Sequence, residues 1–301
     1  MMDTVTPLKI SLFANFFNLI SDPILIFNLG MGVQGAAVAT LAAEIISAVA
    51  FTYLLLKRGF IRWSKLFRLP SWEKLAPLLK GGMSLQLRNF ALNLTFLAVT
   101  RVTQTIDSTG VAAAAHAMAI QTFQIGGIVL LALSVVAQTV IPNQMAERVD
   151  EKTGEKTGGI LAAKNAMNRL MSWGLILGIT LGALQIALLP FLQKASPLEE
   201  VRKAALVPSY LASAFQVMNG LVFIGEGVMV GCGNFMQLSL STLVATTATL
   251  YSLKTLPNIY GLTGVWMSFG VFNSLRLLGV LVHQKRSGPL ASRNIMKSQA
   301  C

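Results

Sequence analysis

Between Leu8 and Val282 the sequence passes through eight apolar stretches, each close to the length that crosses a bilayer, and this excludes most folds at once. A helix rising about 1.5 Å per residue needs about 20 apolar residues to traverse a hydrocarbon core of about 30 Å. By that ruler the spans are Leu8–Phe27, Val33–Leu56, Gly81–Gln104, Val111–Ile141, Met167–Leu192, Ala205–Val230, Leu238–Leu256 and Leu262–Val282. A chain of 301 residues that is 54% hydrophobic and only 12% charged cannot cover such a bundle with polar surface in water. Lipid must solvate it. The expected fold class is therefore an all-α polytopic membrane protein of about eight transmembrane helices.

The breaks between spans carry the remaining local information. Asp22-Pro23 interrupts the first span, and Asp22 is placed to cap the second half of a kinked helix. The second span begins on GAAVATLAA, small enough for close helix contact, and Gly174, Gly178 and Gly182 lay a smooth strip along one face of the fifth. Lys and Arg are distributed unevenly over alternate connections. With the 57–80 loop inside, 17 fall on the inner side and 5 on the outer, while Arg88 and Arg276 sit within spans. That asymmetry predicts an even number of spans with both termini cytoplasmic or stromal. It also gives the net charge of +12 a bland use, in topology and attraction to anionic lipid, so no nucleic-acid partner is expected. The segment 57–80 interleaves Trp63, Phe67, Trp72 and several Leu with cations, as suits an amphipathic linker in the headgroup region. Two cysteines, Cys232 and Cys301, make neither a disulfide framework nor a zinc site, and the N-terminus lacks the look of a signal or transit peptide.

Several of these stretches resemble one family. SDPILIFNLGMGVQGAAVATLAAEIISAVAFTYLLLKR resembles the fifth and sixth helices of multidrug and toxic compound extrusion (MATE) transporters. HAMAIQTFQIGGIVLLALSVVAQTVIP is similar to the eighth, GLVFIGEGVMVGCGNF to the tenth, and GLTGVWMSFGVFNSLRLL to the twelfth. GGMSLQLRNFAL points to the branch with bacterial DNA-damage-inducible and plastid-type members. The resemblance implies twelve helices in two six-helix lobes, of which this chain matches the fifth to the twelfth. Residues 1–56 would be the last two helices of a truncated first lobe, 57–80 the inter-lobe linker, 81–282 a complete second lobe, and 283–301 a polar basic tail. The absent helices, and with them the first-helix acid linked to proton coupling in bacterial members, would be supplied by a partner or lost from the gene model.

Ionisable groups inside spans are the natural functional candidates, because each is costly in lipid unless paired or facing water. Glu226 leads: it lies between Gly225 and Gly227, where bare backbone leaves room around a carboxylate able to take a proton, and the resemblance places an acid here on the tenth helix. Its structural alternative is an interfacial residue reaching water. Arg88, with Gln86 and Asn89, is either a snorkelling topological cation or a substrate-facing one that biases a cavity toward organic acids. Glu44 and His116 are each a lumen-facing group or a satisfied interhelical hydrogen bond, with His116 also a proton carrier by its chemistry. Gln121, Gln124, Gln138, Asn219 and Asn273 are expected to line a cavity, and Arg276 to snorkel. No metal ligand set is present.

The sequence holds no His-Glu-x-x-His, Gly-x-Ser-x-Gly or Walker motif, so an enzyme or a directly ATP-driven pump is not expected. The reading is a secondary antiporter with no cofactor. It would export an organic solute, a drug-like compound or an organic acid, in exchange for protons or sodium, from the plasma membrane or the plastid envelope. The competing reading is a non-transporting membrane remnant or scaffold.

Overall fold

The computed structural model describes residues 5–62, 71–149, 156–194 and 196–291. Eight long α-helices run through them: α1 (Val5–Pro23), α2 (Val33–Lys57), α3 (Trp72–Ile106), α4 (Val111–Met145), α5 (Ile160–Gln193), α6 (Glu199–Gly231), α7 (Phe235–Ser252) and α8 (Leu256–Val282). Six of these segments, all but α3 and α7, are long and apolar enough to cross a membrane by length and composition. Short π-helical turns follow α1 (Ile24–Asn28) and α8 (His283–Ser287), and a two-residue antiparallel pair, Arg148–Val149 with Lys156–Thr157, precedes α5.

The chain divides into two compact units, residues 1–75 and 76–301. In the first, α1 and α2 form a hairpin. Pro23 has no N–H to donate, and directly after it the helix widens into the π turn; Gly30 and Gly32, at positive φ, then reverse the chain. Asp22 makes no cap: no side-chain hydrogen bond closes the π turn, and its Oδ1 has no partner, which corrects the expected capping role. The buried face of α2 is Gly35, Ala39 and Ala43, and a Cβ on Gly35 would sit 2.7 Å from the Leu25 carbonyl. The small-residue start of α2 thus serves close backbone approach.

α3 begins at Trp72, so residues 72–80, assigned from sequence to the inter-lobe linker, form its first turns with Pro77 inside. Linker residues 63–70, and with them Trp63 and Phe67, lie outside the described residues, as does most of the C-terminal tail.

In the second unit α6 is central, packing on α4, α5 and α8. Gly174, Gly178 and Gly182 of α5 meet the α6 backbone at Gly220, Gln216 and Ser213. A Cβ on Gly178 would stand 2.5 Å from the Gln216 carbonyl oxygen, and one on Gly182 would stand 2.7 Å from that of Ser213. Replacing an exposed helical Gly by Ala normally gains up to about 1 kcal/mol. Gly178→Ala should instead cost about 1–3 kcal/mol, since backbone cannot yield as a side chain can. Gly82→Ala on α3, where a Cβ meets open space, is the control and should be neutral or stabilising in the same thermal unfolding series.

α3 and α7 are joined by hydroxyls: Ser239 Oγ donates to the Ser84 carbonyl, Thr95 and Thr246 Oγ1 lie 3.0 Å apart, and Thr246 donates to the Ala91 carbonyl at 3.2 Å. α8 bends at Gly261, whose φ is 56°. An aromatic core of Phe96, Phe123, Phe215, Trp266, Phe269 and Phe272 fills the space between α3, α4, α6 and α8.

Outside the spans, Asp107 starts α4. Its Oδ2 accepts from the Ala112 N–H at 2.8 Å, and its Oδ1 from the Gly110 N–H at 2.6 Å and the Thr109 hydroxyl at 3.0 Å. The Ala112 bond leads the others in holding this carboxyl below the usual carboxylate range. A depressed pKa contributes stability that is full above the unfolded-state value, near 4, and is lost as pH falls through the folded one. Wild type should therefore exceed Asp107→Asn in unfolding temperature at neutral pH. The gap should close on acidification below about pH 4, and a gap independent of pH would contradict the cap.

Candidate functional site

Three charged side chains from three helices meet inside the second unit. Glu226 on α6 is buried. Arg276 on α8 donates to it twice, Nε to Oε1 at 2.8 Å and Nη2 to Oε2 at 2.9 Å. Arg88 on α3 donates through Nη2 to the same Oε2. The Arg276 guanidinium also lies over the Phe272 ring at 5.2 Å and the Phe223 ring at 5.7 Å. Arg88 is held less completely: its side chain is 20% exposed against 6% for Arg276, its Nε has no partner, and its Nη1 reaches exposed Asn89 at 3.5 Å.

This geometry corrects two expectations and decides against the snorkelling alternative for Arg88. Arg276 does not snorkel but is the principal partner of Glu226. Arg88 likewise points into the bundle. The glycines flanking Glu226 leave no free room around it: a Cβ on Gly225 would meet the Val280 side chain, and one on Gly227 the Ser134 carbonyl. They exist for close packing of α6 on α8 and α4. Two guanidiniums, not empty space, occupy the surroundings of the carboxylate. The trio carries one net positive charge.

A second polar group lies along the contacts of α4 with α5 and α6. Gln185 Nε2 donates to the Thr122 carbonyl at 2.8 Å, and Gln216 Nε2 to the Phe123 carbonyl at 3.0 Å. Asn219 reaches Gln216 Oε1 at 3.5 Å, and its own Oδ1 is unpartnered. Gly126 opens the face of α4 on which the Gln216 amide lies. Sequence reasoning named Asn219 but missed Gln185 and Gln216, although a glutamine inside an apolar span is itself the signal for an interhelical hydrogen bond.

His116 is buried beside Trp266, ring centroids 5.8 Å apart, and its Nδ1 has no partner, so no interhelical hydrogen bond forms at that nitrogen. Asn273 is likewise buried, donating to the Phe269 carbonyl of its own helix at 3.0 Å. Gln121 is exposed and lines a cleft between α4, α5 and α6, while Gln124 and Gln86 are also exposed and Gln138 is half-buried. None of these joins the trio. Glu44 is exposed in the first unit and lines a separate polar cleft with Asn15, Asn18 and Thr40. Among the described residues no group of three or more His, Cys, Asp or Glu is placed to hold a metal ion.

No family model matches the chain. It is similar to DETOXIFICATION 44, a chloroplastic protein of Arabidopsis thaliana, with 29% identity over 290 residues, which is 95% of this chain and 52% of that protein. DETOXIFICATION 45 of the same plant, also chloroplastic, is 27% identical over 277 residues, covering 92% of this chain and 47% of the relative. The chain thus spans about half the length of these curated relatives. A crystal structure of a MATE protein in a bent conformation superposes with a TM-score of 0.77 at 18% identity, over 97% of this chain and 63% of that one. The resemblance read from its helices therefore holds: this is a multi-pass integral membrane chain, alike in sequence to the DETOXIFICATION proteins, plastid-type ones included, and folded as the corresponding part of a MATE bundle.

Proposed function

We propose that the chain works in a secondary transporter that exports an organic solute in exchange for protons or sodium, and that it is not an enzyme. The observation that carries this reading is the Arg88–Glu226–Arg276 trio, an ionic site in which two of the three helices, α6 and α8, are candidate membrane spans. Charges are retained there at a cost, and their ordinary use is on a solute or ion pathway. The MATE-type bundle and the names of the relatives support export. With one net positive charge the trio favours an organic acid over a cation.

Coupling follows from the unequal hold on Glu226. A proton placed on Oε2 weakens the single bond to Arg88, while Arg276 keeps its Nε–Oε1 bond and its seat between Phe223 and Phe272. Loss of the Arg88 bond removes the ionic tie of α3 to α6 and leaves their apolar packing in place. That is the kind of change that biases one arrangement of a helical bundle over another. The chloroplastic relatives favour the plastid envelope over the plasma membrane as its site.

The test is solute-dependent proton or sodium flux in proteoliposomes holding the chain. Organic acids should drive it better than organic cations, and Glu226→Gln should abolish it. Undiminished flux in Glu226→Gln removes Glu226 from the coupling, and absence of any flux favours the non-transporting reading.

A further inference from the structure

Away from the trio, two adjoining hollows share one residue. An apolar cleft between α4, α5 and α6 is walled by Met118, Ile125, Leu189 and Leu192, and Gln193 stands at its end. Gln193 also borders a hollow at the junction of α5 and α6, where Lys194, Arg202 and Lys203 stand around an apolar floor that includes Pro190 and Leu206. Glu199 lines the same hollow but is neutralised by Lys203 at 2.8 Å, so Lys194 and Arg202 are left without an ion pair among the described residues. Gln193 Nε2, at the seam between the hollows, is buried without a hydrogen-bond partner. All three helices belong to candidate membrane spans, and the hollow lies where α5 ends and α6 begins.

We propose that this composite cleft is a binding site for one anionic phospholipid. Its acyl chain lies between Met118, Ile125, Leu189 and Leu192, its ester carbonyl accepts from Gln193 Nε2, and its phosphate rests between Lys194 and Arg202. Each part of the lipid meets the chemistry it needs in the order it needs it: hydrocarbon on aliphatic side chains, carbonyl on an orphaned amide, phosphate on two free cations. Charge complementarity selects an anionic headgroup, since a choline headgroup would bring its own cation against Lys194 and Arg202. Of the five cations assigned from sequence to the outer connections, three stand at this junction, which general topology does not call for.

The test is native mass spectrometry of the purified full chain after exposure to equal phosphatidylglycerol and phosphatidylcholine. Wild type should retain one phosphatidylglycerol with a several-fold preference. The Lys194→Gln/Arg202→Gln pair should lose that preference, and Ile125→Trp, which fills the cleft from an exposed position, should lose the retained lipid. Lys194 and Arg202 lie outside the packed core, so the paired variant should stay folded. Equal retention of both lipids by wild type, or an unchanged preference in the paired variant, overturns the site. So does equal thermal stabilisation by inorganic phosphate alone, which would leave the apolar cleft without a role.

Discussion

Replacing Glu226 by Gln should be the most damaging single change at the charged trio, lowering unfolding stability by about 3–5 kcal/mol. The substitution hardly alters volume, but it leaves buried Arg276 and partly exposed Arg88 beside each other without a counter-charge. Removing one arginine leaves a neutral pair and costs less, and the two arginines should differ. Arg276→Gln removes two charge-assisted hydrogen bonds and a guanidinium lying over two rings, whereas Arg88→Gln removes one bond from a partly exposed side chain. The expected order of destabilisation in detergent is Glu226→Gln, then Arg276→Gln, then Arg88→Gln. Equal effects of the two arginines would contradict the geometry.

Trp266→Ala should be comparably severe, at about 3–5 kcal/mol, for an unrelated reason. Trp266 is buried, with Phe215 stacked on it at 6.4 Å and Phe123, Phe269 and the His116 ring around it. Truncation opens a cavity bounded by three helices that cannot collapse into it together. The indole N–H has no hydrogen-bond partner, so Trp266→Phe loses only part of the packing and should recover most of the stability. A Phe variant as unstable as the Ala variant would show that the N–H has a partner, such as a bound water. Both variants can be read by thermal unfolding, and the aromatic contribution also by near-UV circular dichroism.

The helices were legible because hydropathy in a membrane chain is close to a measure of length. Val33–Leu56 and Val111–Ile141 are within a few residues of α2 and α4. α3 was harder: Lys74 and Lys80 made its first turns read as linker, although they continue the helix from Trp72. The glycine strip on α5 was visible as spacing, but its partner on α6 was not, since spacing names a face and not what covers it. The trio links residues 138 and 50 positions apart, beyond any local pattern. One physical signal was available: two arginines and one glutamate inside spans are expected to seek each other in lipid. The aromatic face of α8, at Trp266, Phe269 and Phe272, escaped notice because every face of a membrane helix is apolar and periodicity loses its contrast.

The double-substitution cycle between Glu226 and Arg276 tests most directly whether the trio is the organising ionic unit on which both the packing of α3, α6 and α8 and the proposed coupling rest. Unfolding of wild type, Glu226→Gln, Arg276→Gln and the double variant should give a double variant less destabilised than the sum of the singles, with a coupling energy of about 2–3 kcal/mol. Effects that add to within about 0.5 kcal/mol would mean that the two side chains do not interact, and the trio would fall.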